Sequence, residues 1–112
     1  MKKVEAIIKP EKFDEIKEAL NHLDIKGMTI MQVLGFGNQK GQKKFYRGTE
    51  ISLNLLPKIK IEIVINDNLV DEIVSVIAKT GKTGNIGDGK IFVSTIDNAV
   101  RIRTGESGDL AL

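Results

Sequence analysis

Lys58-Ile59-Lys60-Ile61-Glu62-Ile63-Val64-Ile65 is the stretch that decides the fold. Ile59, Ile61, Ile63 and Ile65 fall on one side of an extended chain. Lys58, Lys60, Glu62 and Val64 fall on the other. That alternation predicts a strand with one face in a core and one face open. Immediately after it, Leu69, Val70, Ile73, Val74 and Ile77 recur at helical spacing, so a helix follows and packs its stripe on the same core. Working back towards the start, Lys3 to Lys9 reads as a strand stopped by Pro10. Glu11 to Asp24 carries Phe13, Ile16, Leu20 and Leu23 on one helical stripe, with Gly27 beyond it. Met28 to Phe36 alternates again. Beyond the second helix, Lys90 to Ile96 and Val100 to Arg103 read as two last strands. The order β-α-β-β-α-β predicts an α+β, ferredoxin-like fold: a four-stranded antiparallel sheet with both helices on one face. Its open face would carry Ile7, Thr29, Val64 and their neighbours, apolar enough to favour self-association.

The connection between the second and third strands breaks the pattern. A hairpin there needs about two to five residues, and Gly37 to Pro57 is far longer. It holds Lys40, Lys43, Lys44 and Arg47 against Glu50 alone, then Ile51, Leu53, Leu55 and Leu56, with Phe45 and Tyr46 at its middle. A long basic segment inside a compact domain reads as a partner-binding arm.

The bulk numbers bound the class. A chain of 112 residues makes one domain, and 41% hydrophobic with 29% charged residues is ordinary for a globular protein. No apolar run reaches the ~20 residues of a membrane span, and no signal peptide precedes the first strand. Cysteine is absent, which removes thiolate metal sites and thiol chemistry and fits a cytoplasmic setting. A net charge of +2 is too small to argue for nucleic acid. The one histidine, His22, lies in the first helical pattern and reads as a surface residue.

Chemistry concentrates in Thr83-Gly84-Asn85-Ile86-Gly87-Asp88-Gly89-Lys90 and in Arg101-Ile102-Arg103. Three glycines let the backbone bend and present its N–H groups, and a lysine and two arginines add fixed positive charge. On a strand, Arg101 and Arg103 would share one face. The set suits a polyphosphate. It is not a P-loop: Gly84 to Lys90 spells G-x-x-x-x-G-K, but Ile91 stands where a hydroxyl must hold magnesium, and a strand follows instead of a helix. Gly35-Phe36-Gly37 fails the dinucleotide fingerprint, because Lys40 replaces its third glycine. No carboxylate pair, nucleophile–base pair or metal-ligand cluster stands out, so the chain does not read as an enzyme. Asp88, between two glycines, reads as a turn former before a base. An RNA-binding ferredoxin-like module would stack bases on strand aromatics. Only Phe36 and Phe92 are available, and its motif is missing.

Gly35-Phe36-Gly37, Gln39-Lys40-Gly41, Tyr46-Arg47-Gly48, the run Leu56 to Val64, Thr83-Gly84 through Val93, and Arg101-Ile102-Arg103-Thr104-Gly105-Glu106 together resemble the PII nitrogen-regulatory signalling proteins. The resemblance spans residues 1–112 and is most similar to the GlnK-like members. It divides the chain into an effector loop at 37–57, a phosphate-binding loop at 82–90 and a C-terminal segment at 102–112. It implies a homotrimer that binds ATP or ADP in clefts between subunits, and 2-oxoglutarate together with Mg-ATP. The base and ribose of the nucleotide would meet Ile7, Thr29, Gly35, Phe36, Gly37, Glu62 and Val64, and Asn38 and Gln39 also belong to the nucleotide set. Its phosphates would meet Gly87, Asp88, Gly89, Lys90, Arg101 and Arg103, with one or more from a neighbouring subunit. Gln39 would be the protein ligand of magnesium, and Gln39, Lys40, Gly41 and Lys58 would hold 2-oxoglutarate.

The same resemblance implies a partner contact at Tyr46, Arg47 and Gly48, with an ammonium transporter as the target and glutamine synthetase or a transcription factor as alternatives. The protein would be cytoplasmic, and membrane-associated only when docked. Three positions depart from the family pattern. Ile51 replaces the tyrosine that enteric members carry as a uridylylation site, Thr49 replaces a serine phosphorylated in cyanobacterial members, and Asn38 replaces an arginine near the phosphates. Control by ligands alone, without modification, is the expectation.

Overall fold

A computed structural model describes residues 1–25, 27–36, 42–46, 49–53 and 55–112, with 42–46 and 49–53 described by their backbone pairing. The elements are β1 (Lys2–Ile8), a 3-10 turn at Pro10–Lys12, α1 (Phe13–Asn21), β2 (Thr29–Phe36), β3 (Gln42–Tyr46), β4 (Thr49–Leu53), β5 (Leu55–Ile65), a 3-10 turn at Asp67–Leu69, α2 (Val70–Gly81), β6 (Gly89–Thr95) and a 3-10 turn at Gly108–Ala111. Four strands form one sheet in the order β2-β5-β1-β6, every neighbour antiparallel. This is the expected ferredoxin-like α+β arrangement.

The isoleucine alternation explains the core. Ile61 and Ile63 are each 1% exposed, and they meet Val4, Ala6 and Ile8 of β1 with Ile16 and Leu20 of α1 and Ile73 and Ile77 of α2. Phe13, Leu23, Leu69, Val70 and Val74 pack at its margin. Each helix begins from a 3-10 turn with acidic residues in its first turn, Asp14 and Glu15 in α1 and Asp71 and Glu72 in α2, which complements the helix dipole.

Three sequence expectations are corrected. β5 starts at Leu55, not Lys58, because Leu55, Leu56 and Pro57 pair with Phe36, Gly35 and Leu34 of β2. The remainder of the long connection contains a two-stranded hairpin, Gln42–Tyr46 against Thr49–Leu53, whose register places Tyr46 opposite Thr49. Ile51 and Leu53 alternate with Glu50 and Ser52 there, a strand pattern that the basic content of the segment masked. Val100 to Arg103 is not a strand. Val100 makes one isolated bridge to Ser107, and the chain turns between them. The Arg101 N–H donates to the Glu106 carbonyl and the Gly105 N–H to the Arg101 carbonyl, both at 2.8 Å, with Gly105 at φ +73°. A two-residue apolar alternation predicts a strand only where a partner strand exists, and here Thr104-Gly105 folds the segment on itself.

The open sheet face is also less apolar than expected. Register puts Thr29 opposite Glu62, Ile7 opposite Lys60 and Lys90, and Val64 opposite Lys3. Its centre is a charge chain: Lys3–Glu5 at 2.7 Å, Lys60–Glu5 at 3.8 Å and Lys60–Glu62 at 3.3 Å. The hydrogen bond from Lys3 holds the Glu5 carboxyl below its ordinary value, and the same bond raises the Lys3 ammonium. Apolar residues flank this chain, with Phe92 of β6 about half exposed.

Candidate functional site

The glycine loop is built on Asp88. Its carboxylate accepts the Thr83 N–H at 2.8 Å, the Gly84 N–H at 2.9 Å and the Thr83 hydroxyl, and pairs with the Lys9 ammonium at 3.2 Å. The Thr83 hydroxyl bond, then the two backbone donors and Lys9, hold this carboxyl far below the usual aspartate range, so Asp88 is an anion at any physiological pH. Gly84, Gly87 and Gly89 have φ of +87°, +100° and +105°, a region that side-chain-bearing residues avoid. These three positions make the bend.

Lys58 anchors the loop from the sheet. It is 7% exposed, and its Nζ donates to the Gly87 carbonyl at 2.6 Å. Its stem crosses Gly35 of β2, where an added Cβ would lie 3.0 Å from the Lys58 Cγ. Glycine inside a strand costs backbone entropy, and here it makes room for the lysine. Gly35, Lys58, Gly87, Asp88 and Lys9 therefore share one end of the sheet, with Lys90 exposed at the start of β6.

Thr29, Glu62 and Val64 lie further along the sheet, Glu62 and Val64 being four and six residues beyond Lys58 on β5. With Met28, Leu69, Arg101 and the C-terminal Asp109, Ala111 and Leu112 they line a cavity of about 730 Å³. Its lining mixes Met28, Val64 and Leu69 with the polar Asp24, Glu62, Asn66, Arg101 and Asp109, a set with apolar walls and hydrogen-bonding groups. Arg101 is held there by Glu106 at 3.2 Å and by the Leu112 carbonyl at 3.3 Å. Arg103 and Ile102 are exposed on the same turn, Ile102 at 99%.

The expected nucleotide residues thus form two clusters in this chain. Thr29 and Gly35 are six residues apart on β2, roughly 20 Å at strand spacing. The cavity lined by Thr29, Glu62 and Arg101 forms one cluster, and the glycine loop with Lys58 forms the other. Ile7 lies between, half-buried in the open face, and Phe36 is 74% exposed beside Gly35. Gly37, Asn38, Gln39, Lys40, Gly41, Arg47 and Gly48 lie outside the described residues, and the side chains of Tyr46 and Ile51 do too. Sequence reading did not single out Lys9, Thr83 as a side chain, or Glu106. Thr83 preceding the first glycine by one residue and Asp88 by five was the available signal for the loop's internal clasp.

The fold is thus a small α+β domain that carries a glycine loop and, apart from it, a cavity lined by Thr29, Glu62 and Val64. Its family is equally clear. The model of the family described as "Nitrogen regulatory protein P-II" matches residues 1–106, and the chain belongs to that family. It is 57% identical over 108 residues to Nitrogen regulatory protein P-II of Bradyrhizobium diazoefficiens, covering 96% of each chain. It is 57% identical over 112 residues to the protein of that name from Rhizobium etli, covering all of both chains. Nitrogen regulatory protein P-II 1 of Escherichia coli is 54% identical over 112 residues, again with complete coverage.

Proposed function

We propose that this chain is a sensor of nitrogen, carbon and energy status that binds ATP or ADP, takes up 2-oxoglutarate with Mg-ATP, and acts on an ammonium transporter through residues 37–57. The observation that carries the reading is the spread of the expected nucleotide residues over roughly 20 Å of the sheet, from Thr29 to Gly35 along β2. One chain cannot close both clusters on one nucleotide. A cleft between copies can, with the cavity and Arg101 of one subunit facing the glycine loop of the next. A homotrimer repeats that cleft three times around one axis. Membership of a family whose relatives are named as nitrogen regulatory proteins agrees with a signalling role.

Lys58 supplies the charge for the dicarboxylate. Its ammonium has three donors, of which the Gly87 carbonyl takes one. A single cation holds a dianion weakly, so magnesium on the nucleotide, ligated by Gln39, completes the site. Gln39 and Lys58 flank the long connection in sequence, so a ligand bound there would act on the arm. A ligand acts on the arm only through different affinities for its conformers.

Arg47 joins β3 to β4 and is the contact proposed for the transporter. A long guanidinium side chain can reach into a narrow vestibule and satisfy several carbonyls at once. Three arms on one trimer add avidity on a trimeric channel. In vesicles carrying an ammonium channel, ADP-loaded protein should inhibit flux, and Mg-ATP with 2-oxoglutarate should relieve the inhibition. Arg47→Ala should abolish it. An Arg47→Ala protein that blocks flux as well as the parent would remove the arginine from this role.

A further inference from the structure

Thr83 has no place in the ligand sets above, yet its hydroxyl is fully used. The group donates its one proton to Asp88, and it accepts from the Lys9 ammonium and from the Asn85 N–H, both at 3.2 Å. One donor and two acceptor positions are all that a hydroxyl offers. Its own backbone N–H also goes to Asp88. The amides of residues 83, 84 and 85 are therefore consumed inside the loop. Those of Ile86 and Gly87, at the bend, have no acceptor among the described residues.

Asp88 poses an electrostatic problem for a phosphate loop, because a carboxylate beside a polyphosphate repels it. The clasp resolves this by turning the carboxylate inward onto Thr83, Gly84 and Lys9. We infer that the Thr83 hydroxyl is the positioning group of the glycine loop: it keeps Asp88 directed away from the anion and leaves the bend at 86–87, with Lys90, to meet the phosphates. The inference rests on the nucleotide reading above and goes beyond it by assigning phosphate affinity to a residue that touches no ligand.

The test is calorimetric titration of ATP, with adenosine followed by NMR as the phosphate-free control. Thr83→Val keeps the side chain's shape and removes the hydroxyl. It should weaken ATP roughly tenfold or more and leave adenosine unchanged, and Thr83→Ser should restore ATP to within about twofold. Circular dichroism reports whether each variant is folded. Asp88→Asn gives a second, independent reading through its sign. If the clasp shapes the loop, Asp88→Asn weakens ATP although it removes an anion; if Asp88 acts only as a repelling charge, it strengthens ATP, and the inference fails. Equal losses for ATP and adenosine in Thr83→Val would mean general disruption and would also overturn it. Parent protein that binds ATP normally, with Thr83→Val unaltered, overturns the positioning role alone. Parent protein that binds no ATP overturns the nucleotide reading and this inference with it.

Discussion

Replacing Gly89 with alanine should prevent β6 from docking on β1. A Cβ at Gly89 would lie 1.7 Å from the Ile7 carbonyl oxygen and 2.8 Å from its carbon. Ile7 is backbone of β1, which is paired on both sides, with β5 and β6. It cannot retreat without breaking one ladder. The φ of +105° adds its own penalty for an L-residue. Relief requires unpairing the start of β6, which also dismantles the loop that ends at Asp88. The expected loss exceeds ~4 kcal/mol, the range reserved for a few mechanisms of this kind. Gly84 is the control: its φ is +87°, but nothing lies within 4 Å of an added Cβ, so Gly84→Ala should cost only the ~1–2 kcal/mol of a left-handed residue. Urea unfolding of the two variants measures the difference. A Gly89→Ala midpoint within about 0.3 M of the parent would contradict the geometry.

The core of this fold was readable from sequence because it rests on local periodicity. The β5 isoleucines and the two helical stripes name the core directly: Ile61, Ile63, Ile65, Ile16, Leu20, Ile73 and Ile77 are buried, and the other members of these patterns pack at its margin. The departures have non-local causes. The Val100–Arg103 segment alternates, but what it becomes depends on whether another strand is available, which periodicity does not encode. The extension of β5 back to Leu55 depends on the length of β2, its partner. The charge chain of the open face follows from register, which places Glu5 between Glu62 and Phe92, and register emerges only when strands pair.

The site divides in the same way. Gly84, Gly87 and Gly89 were legible as the bends of a loop, and all three have positive φ. The clasp of Thr83, Asp88 and Lys9 joins residues 74 apart in the chain, and no local pattern links them. Gly35 gives another case. As a sequence feature it looked like part of a glycine motif, whereas here it accommodates the Lys58 stem.

Lys58→Met should produce the largest loss of ligand affinity. Methionine fills nearly the same space over Gly35, so the strand and its packing persist. What disappears is the ammonium, and with it both the Gly87 carbonyl's partner and the cation proposed for 2-oxoglutarate. A charge-assisted hydrogen bond is worth about 1.5–3 kcal/mol, and the carboxylate is left desolvated without a counter-charge. With Mg-ATP present, 2-oxoglutarate should bind at least ~100-fold more weakly, about 2.7 kcal/mol. ATP alone should lose less than ~10-fold, since Gly87 loses an anchor but the loop keeps its clasp. Lys58→Arg should not rescue, because the planar guanidinium does not follow the lysine's path across Gly35. A 2-oxoglutarate affinity within about threefold of the parent would exclude Lys58 from the site.

The most direct measurement is calorimetric titration of 2-oxoglutarate into the intact protein, once saturated with Mg-ATP and once with ADP. The account predicts saturable binding with Mg-ATP and little or none with ADP, because the metal and the γ-phosphate state of the cleft complete the charge that Lys58 supplies only in part. Equal binding under the two conditions, or none under either, would contradict a sensor that couples a nucleotide to a dicarboxylate.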